Sequence, residues 1–149
     1  MKRNQLALVL ALAAAGLVPT AGFASSTARS GALHVTKECG DYHGAAGEFC
    51  TITSSNIPAI RRGMRVVYAS GIDFFTLTLD SDLVIDGPGD NDAFGHVELA
   101  VGTFTGEVTL SGGTGRFRHF HAGPLAVACP KYPACSWDGD YDFTPPGVE

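Results

Sequence analysis

From residue 33 onward, apolar and polar residues alternate in short runs, and Gly, Pro, Asn and Asp separate one run from the next. Successive side chains of a strand point to opposite faces, so alternation of this kind marks half-buried strands. The runs predict strands near 33–37, 49–54, 65–70, 74–79, 83–86, 93–101, 103–111, 116–128 and 136–143. No stretch after residue 24 keeps a helical period for ten or more residues. Many short strands with turn signals and no helices predict an all-β sandwich or barrel.

The same alternation assigns faces. In 136–143, Trp137, Gly139, Tyr141 and Phe143 share one side and Asp138, Asp140 and Asp142 the other, an apolar interior against an acidic exterior. In 103–111, Phe104, Val108 and Leu110 go in. In 93–101, Val97, Leu99 and Val101 go in, while His96 and Glu98 go out. In 116–128, Phe117, Leu125 and Val127 define the apolar face. An unbroken pleat from Phe117 puts His119 and His121 on that inner face and sends Arg116, Arg118 and Phe120 outward. Pro124 is a natural place for a bulge, and one extra residue there reverses the faces of the strand beyond it.

The first residues read as an export signal rather than as part of the fold. Lys2 and Arg3 precede the Leu/Ala/Val-rich run Leu6 to Leu17, and small residues come next, which predicts cleavage after Ala24. The division is then a signal peptide at 1–24, a flexible lead-in at 25–32, one domain at 33–144 and a tail at 145–149. Loss of Lys2 and Arg3 takes the net charge from −5 to −7. An acidic protein is repelled by nucleic acid and by anionic membranes, so neither is an expected partner. The bacterial style of the leader predicts a periplasmic or extracellular protein with no membrane association after cleavage.

Four cysteines, Cys39, Cys50, Cys129 and Cys135, lie beyond the leader. An even count in an exported chain predicts two disulfides. Three pairings exist. Cys39–Cys50 and Cys129–Cys135 are favoured because each closes a short, turn-rich loop. Zinc is disfavoured, since no two cysteines stand at Cys-x-x-Cys spacing.

The run Leu110-Ser111-Gly112-Gly113-Thr114-Gly115-Arg116-Phe117-Arg118 is a hairpin signature. Its glycines permit positive φ, its Thr can bond the turn backbone, and its Phe can plug a barrel end. It resembles the Gly-Gly-(Thr/Ser)-Gly-x-Phe turn of the allene oxide cyclase and dirigent-like β-barrels. The resemblance covers residues 103–128, about a fifth of the mature chain, and implies one antiparallel barrel of about eight strands. It leaves a homo-oligomer open. Such families commonly carry a small residue two positions after the Phe, where this chain has His119. No counterpart of the plant enzymes' acidic and aromatic catalytic residues is found elsewhere in the chain.

Candidate chemistry is sparse. His119, His121 and Tyr141 are the candidate proton-transfer groups for an isomerase or cyclase, since imidazole titrates near neutrality. Tyr68, Phe104, Phe117, Trp137 and Tyr141, with the two histidines, are the candidate lining of a ligand site in the lumen. A metal would need a third ligand beside the paired histidines, and His96-x-Glu98 lies on the opposite side. The acidic stretch Asp80-Ser81-Asp82 and Asp86 to Asp92 lacks the spacing of an EF-hand and reads as solvated turns. Arg61-Arg62-Gly63-Met64-Arg65 reads as a solvated basic loop. No Gly-x-Ser-x-Gly element, P-loop or dinucleotide fingerprint is present. The expectation is an exported barrel, without metal or organic cofactor, that binds a small apolar or aromatic molecule. Its rivals are the isomerase or cyclase and an interaction protein using Asp138, Asp140 and Asp142.

Overall fold

A computed structural model describes residues 30–144. The expected signal peptide, residues 25–29 and the tail lie outside the described residues. Eight strands run in chain order: β1 (Ser30–Glu38), β2 (Phe49–Ser55), β3 (Arg65–Tyr68), β4 (Thr78–Asp86), β5 (Ala93–Ala100), β6 (Thr105–Gly113), β7 (Phe120–Lys131) and β8 (Ala134–Phe143). Each pairs antiparallel with its neighbour in sequence, and β8 returns to β1 from Ser30↔Asp142 to Glu38↔Ala134. The sheet closes into a barrel, which leaves no strand edge unpaired. Both favoured disulfides form, Cys39–Cys50 and Cys129–Cys135, and they are compatible with an exported location.

The faces obey the alternation over most of the wall. Leu33, Val35, Ile52, Val66, Leu83, Ile85, Val97, Val108, Leu110, Leu125, Val127 and Trp137 are buried in the lumen. Asp138 and Asp140 are both exposed on the outside, and Asp142 is half-buried. Residues 30–32, expected in the loose lead-in, belong to β1 and pair with Asp142, Tyr141 and Asp140.

Two segments differ from the alternation reading. The expected strands at 74–79 and 83–86 merge into β4, and 74–77 become a turn. The Asp73 carboxylate accepts the backbone N–H groups of Phe75 and Thr76 at 2.8 and 3.2 Å, so the side chain competes successfully with the ladder. Phe74 and Phe75, opposite faces of a strand by parity, are both exposed.

The second difference moves His121 to the outside. Gly115–Phe117 form a single 3₁₀ turn, and β7 starts only at Phe120. Across such a turn the period is three, so Phe117 and Phe120 both point inward, with ring centroids 5.5 Å apart. Phe120 is therefore an inner residue, and His121 is exposed on the outer face. The expected bulge does occur: Val108 faces Leu125 but Leu110 faces Ala122, so the β7 faces reverse between Ala122 and Leu125.

The Gly-rich turn docks on the loop between β4 and β5. Thr114 N–H donates to Asp92 O at 2.8 Å, Asp92 N–H to Thr114 Oγ1 at 3.0 Å, and Arg116 N–H to Asn91 Oδ1 at 3.0 Å. Gly115 sits at φ +53°, and a Cβ there would lie 2.4 Å from Asn91 Oδ1. That position is closed to any side chain.

Candidate functional site at the open end of the barrel

The lumen has two unlike ends. At the end beside the Gly-rich turn, Phe117, Phe120, Tyr141 and Phe143 pack edge to face and tilted, with centroids 4.8–6.2 Å apart. At the other end the strands enclose a cavity of about 250 Å³, walled mainly by Ile72, Leu79, Leu99, Val101, Phe104 and Val127. Three of the four tyrosines, Tyr42, Tyr68 and Tyr132, and both disulfides also line it.

One charged side chain enters this wall. Lys37 is only 6% exposed, the one buried charged group among the described residues. It continues the inner face of β1 after Leu33 and Val35 and lies opposite Cys135 and Ile52. A bulge in β2 shapes this corner: Thr36 is apposed to Ser54 but Lys37 to Ile52, and the Thr36 hydroxyl meets those of Thr53 and Ser54 at 2.7 and 2.5 Å. The Lys37 amine donates to the Tyr68 hydroxyl at 2.5 Å and lies 4.5 Å from the centre of the Trp137 ring. Among the described residues it makes no ion pair. Burial without a counter-charge disfavours the ammonium, and it brings Lys37 down to about 7.

The tyrosines shift the other way. Burial raises Tyr68 well above the ordinary phenol value, reinforced by Tyr42 and Tyr132. Burial, Glu48 and Tyr132 push Tyr42 up to about 12. At neutral pH the phenols are intact while the amine is divided between its charged and neutral forms. The buried Tyr42 hydroxyl has no hydrogen-bond partner, and its ring lies 4.9 Å from Tyr68. A buried hydroxyl without a partner is costly.

The rim is tied together. The Tyr132 hydroxyl donates to the carbonyls of Cys39 and Tyr42, each at 3.2 Å, and Cys39 N–H donates to Pro133 O at 2.9 Å. Tyr132 also stacks on Phe104 at 5.0 Å. The Glu48 carboxylate accepts from His43 N–H and Ala45 N–H, at 2.7 and 2.9 Å. The bonds from Ala45 and His43 hold its pKa below the ordinary carboxylate range.

Of the residues expected to line a ligand site, Tyr68 and Phe104 reach this cavity. Trp137 lies fully buried behind Lys37. Phe117 and Tyr141 belong to the aromatic plug at the opposite end. His119 sits half-buried beside the Gly-rich turn, and His121 is exposed outside, so His119, His121 and Tyr141 do not converge on the cavity. The helical turn before β7 is the physical reason. Lys37 and Tyr42 escape a reading of the sequence because lysines and loop tyrosines are ordinarily surface residues. The signal for Lys37 is its parity with Leu33, Val35 and Cys39.

No protein family, curated protein or solved structure matches the chain. Its chemistry therefore rests on the residues themselves.

Outside the barrel, His96 bridges Asp80 and Asp82 through its two ring nitrogens, each at 2.9 Å. The hydrogen bond to Asp82 is the main cause that raises its basicity, helped by Asp80 and Glu98. Asp80, His96 and Glu98 stand close enough to share a cation. All three are solvated to a large degree, and the imidazole already has carboxylate partners on both nitrogens. Asp138, in the acidic outer row, is engaged by His34 and by Ser136 Oγ, which hold its pKa below the ordinary carboxylate range.

Proposed function

We propose that this is an exported barrel that binds one small, largely apolar molecule in the cavity beside Lys37. The observation that carries the reading is an apolar, disulfide-walled cavity with a few convergent polar groups, Lys37, Tyr68 and Tyr42. About 250 Å³ suits a single aromatic ring or a short branched chain rather than a steroid-sized ligand. The leader-like residues 1–24 support export to the periplasm or beyond. The likeness of residues 112–118 to the turn of allene oxide cyclase and dirigent-like barrels supports a lumenal site, since closed barrels of this size can hold one small ligand.

The chain carries its own reporter: Trp137 is the only tryptophan and lies against Lys37. Titration with benzyl alcohol, monitored by Trp137 fluorescence, is expected to saturate with Kd on the order of 0.1–1 mM, as befits so small a ligand. Val101→Phe, which fills the lining, abolishes the change. A fluorescence signal that never responds to benzyl alcohol, or that responds equally in Val101→Phe, refutes the binding site.

A further inference from the structure

We infer that the amine of Lys37 captures aldehydes or ketones that enter the cavity, forming a Schiff base with them. The inference rests on the binding site proposed above and names the chemical class that the site retains. Three features point to it. Lys37 lines an apolar cavity, and among the described residues no carboxylate holds its amine as an ion pair. The Tyr68 hydroxyl lies at hydrogen-bond distance from it, and Tyr42, whose buried hydroxyl has no partner, lines the same cavity. The surrounding walls are apolar side chains and disulfides, which favour the uncharged amine that such chemistry needs.

The steps balance without any further reagent. The Lys37 nitrogen lone pair attacks the carbonyl carbon, a C–N bond forms, and the carbonyl π pair moves to oxygen. A proton passes from nitrogen to that oxygen, giving a carbinolamine. The Tyr68 phenol lies where it can donate to the carbinolamine hydroxyl, which leaves as water while the nitrogen lone pair forms the C=N bond. Loss of the remaining N–H proton to the Tyr68 oxygen restores the phenol. Net, one amine and one carbonyl give one imine and one water. Tyr42 is the second hydroxyl able to hold the carbonyl oxygen during attack. Tyr68 is thus a proton-transfer group and Tyr42 a positioning residue.

The chain has three lysines, and Lys131, exposed in β7, is the internal comparison for Lys37. The test uses the full exported protein with disulfides intact. It is incubated with benzaldehyde and sodium cyanoborohydride, which reduces the imine to a stable secondary amine. Adducts are located by peptide mass mapping, and benzyl alcohol binding is measured in parallel through Trp137. The expected result is one dominant adduct on Lys37, formed at least tenfold faster than that on Lys131, and competed away by benzyl alcohol. Lys37→Met loses this adduct and Tyr68→Phe slows its formation, while Lys131→Met, outside the cavity lining, leaves both the Lys37 adduct and benzyl alcohol binding unchanged. Benzyl alcohol binding with adducts only on Lys131 and the N-terminal amine overturns the carbonyl inference and leaves the binding site standing. A Lys37 adduct without benzyl alcohol binding upholds the lysine chemistry and refutes the reversible binder. Absence of both overturns both.

Discussion

The two ends of this barrel solve the same packing problem differently. Beside the Gly-rich turn, the lumen is filled by the rings of Phe117, Phe120, Tyr141 and Phe143, and no covalent bond assists them. At the far end the lumen stays partly empty, and both disulfides, Cys39–Cys50 and Cys129–Cys135, stand in the cavity wall. A cavity forgoes the dispersion contacts that a plug supplies. Cross-links offset that loss by restricting the unfolded chain, and the end that holds the space is the end that is stapled. Stability from packing and capacity from cross-linked emptiness are separated along one axis.

That separation breaks most visibly at Phe117. Phe117→Ala removes a fully buried ring from the plug and is expected to cost about 3–5 kcal/mol, read as a lower urea midpoint with unchanged slope. The open end lies beyond the ring contacts of the plug, so benzyl alcohol affinity of the folded fraction should not change. A fall in affinity as large as the fall in stability would show that the two ends are not independent.

The converse change is at the staple. Replacing Cys39 and Cys50 together by Ala opens a loop closed across a sequence separation of 11 and is expected to cost about 2–3 kcal/mol. Here affinity should fall with stability, because both cysteines line the cavity. Unaltered binding in the double variant would detach the disulfide from the site.

How much of this is legible in the sequence obeys the same division. The plug is readable only in part: Gly115 and Phe117 announce a tight turn with a ring behind it and Trp137 to Phe143 alternate cleanly, but Phe120, at the centre of the plug, is sent outward by parity. The disulfides are readable from loop length. His121 and Phe120 are misplaced by parity because a three-residue helical turn interrupts the pleat where the count runs. Phe74 and Phe75 are misplaced because Asp73 caps a turn that hydrophobicity alone would make a strand. Lys37 is legible only as parity with Leu33 and Val35; residue-type preference argues the other way, and tertiary closure decides it.

Lys37 sharpens the comparison because it makes the open end costly. Its pKa is lower folded than unfolded, so the unfolded chain binds more protons between about pH 7 and pH 10, and stability rises with pH across that window. Below that window the full cost of burying the ammonium applies. Lys37→Met removes the cost and retains the bulk, so it is expected to stabilise the protein by about 2–4 kcal/mol near pH 6. The advantage shrinks as pH rises toward 10. Urea denaturation at several pH values checks this, and a pH-independent difference between the two proteins would contradict it.

On the barrel wall, His96 tests a charge that serves neither end. Its folded pKa is raised, so its contribution is present below the unfolded value near 6.5 and disappears as pH climbs through the folded one. The pair is solvated, so His96→Gln is expected to lose less than about 1 kcal/mol at pH 5 and nothing at pH 9. Benzyl alcohol binding should not respond at either pH, since His96 is not in the cavity lining. The denaturation midpoints at the two pH values carry the result.

The smallest effect belongs to the same residue type as the largest. Phe75 lies in the turn between β3 and β4 with its side chain fully exposed, and Phe117 is fully enclosed. Burial on folding, not ring size, sets what a phenylalanine contributes, because a ring that stays in water gains nothing from the transfer. Phe75→Ala is therefore expected to change stability by less than about 0.5 kcal/mol. Nor should it alter benzyl alcohol affinity, since Phe75 is absent from the lining although Ile72, three residues earlier, is part of it. A cost above about 1 kcal/mol would mean that Phe75 is covered in solution, and it would move the boundary of the open end outward to include this turn.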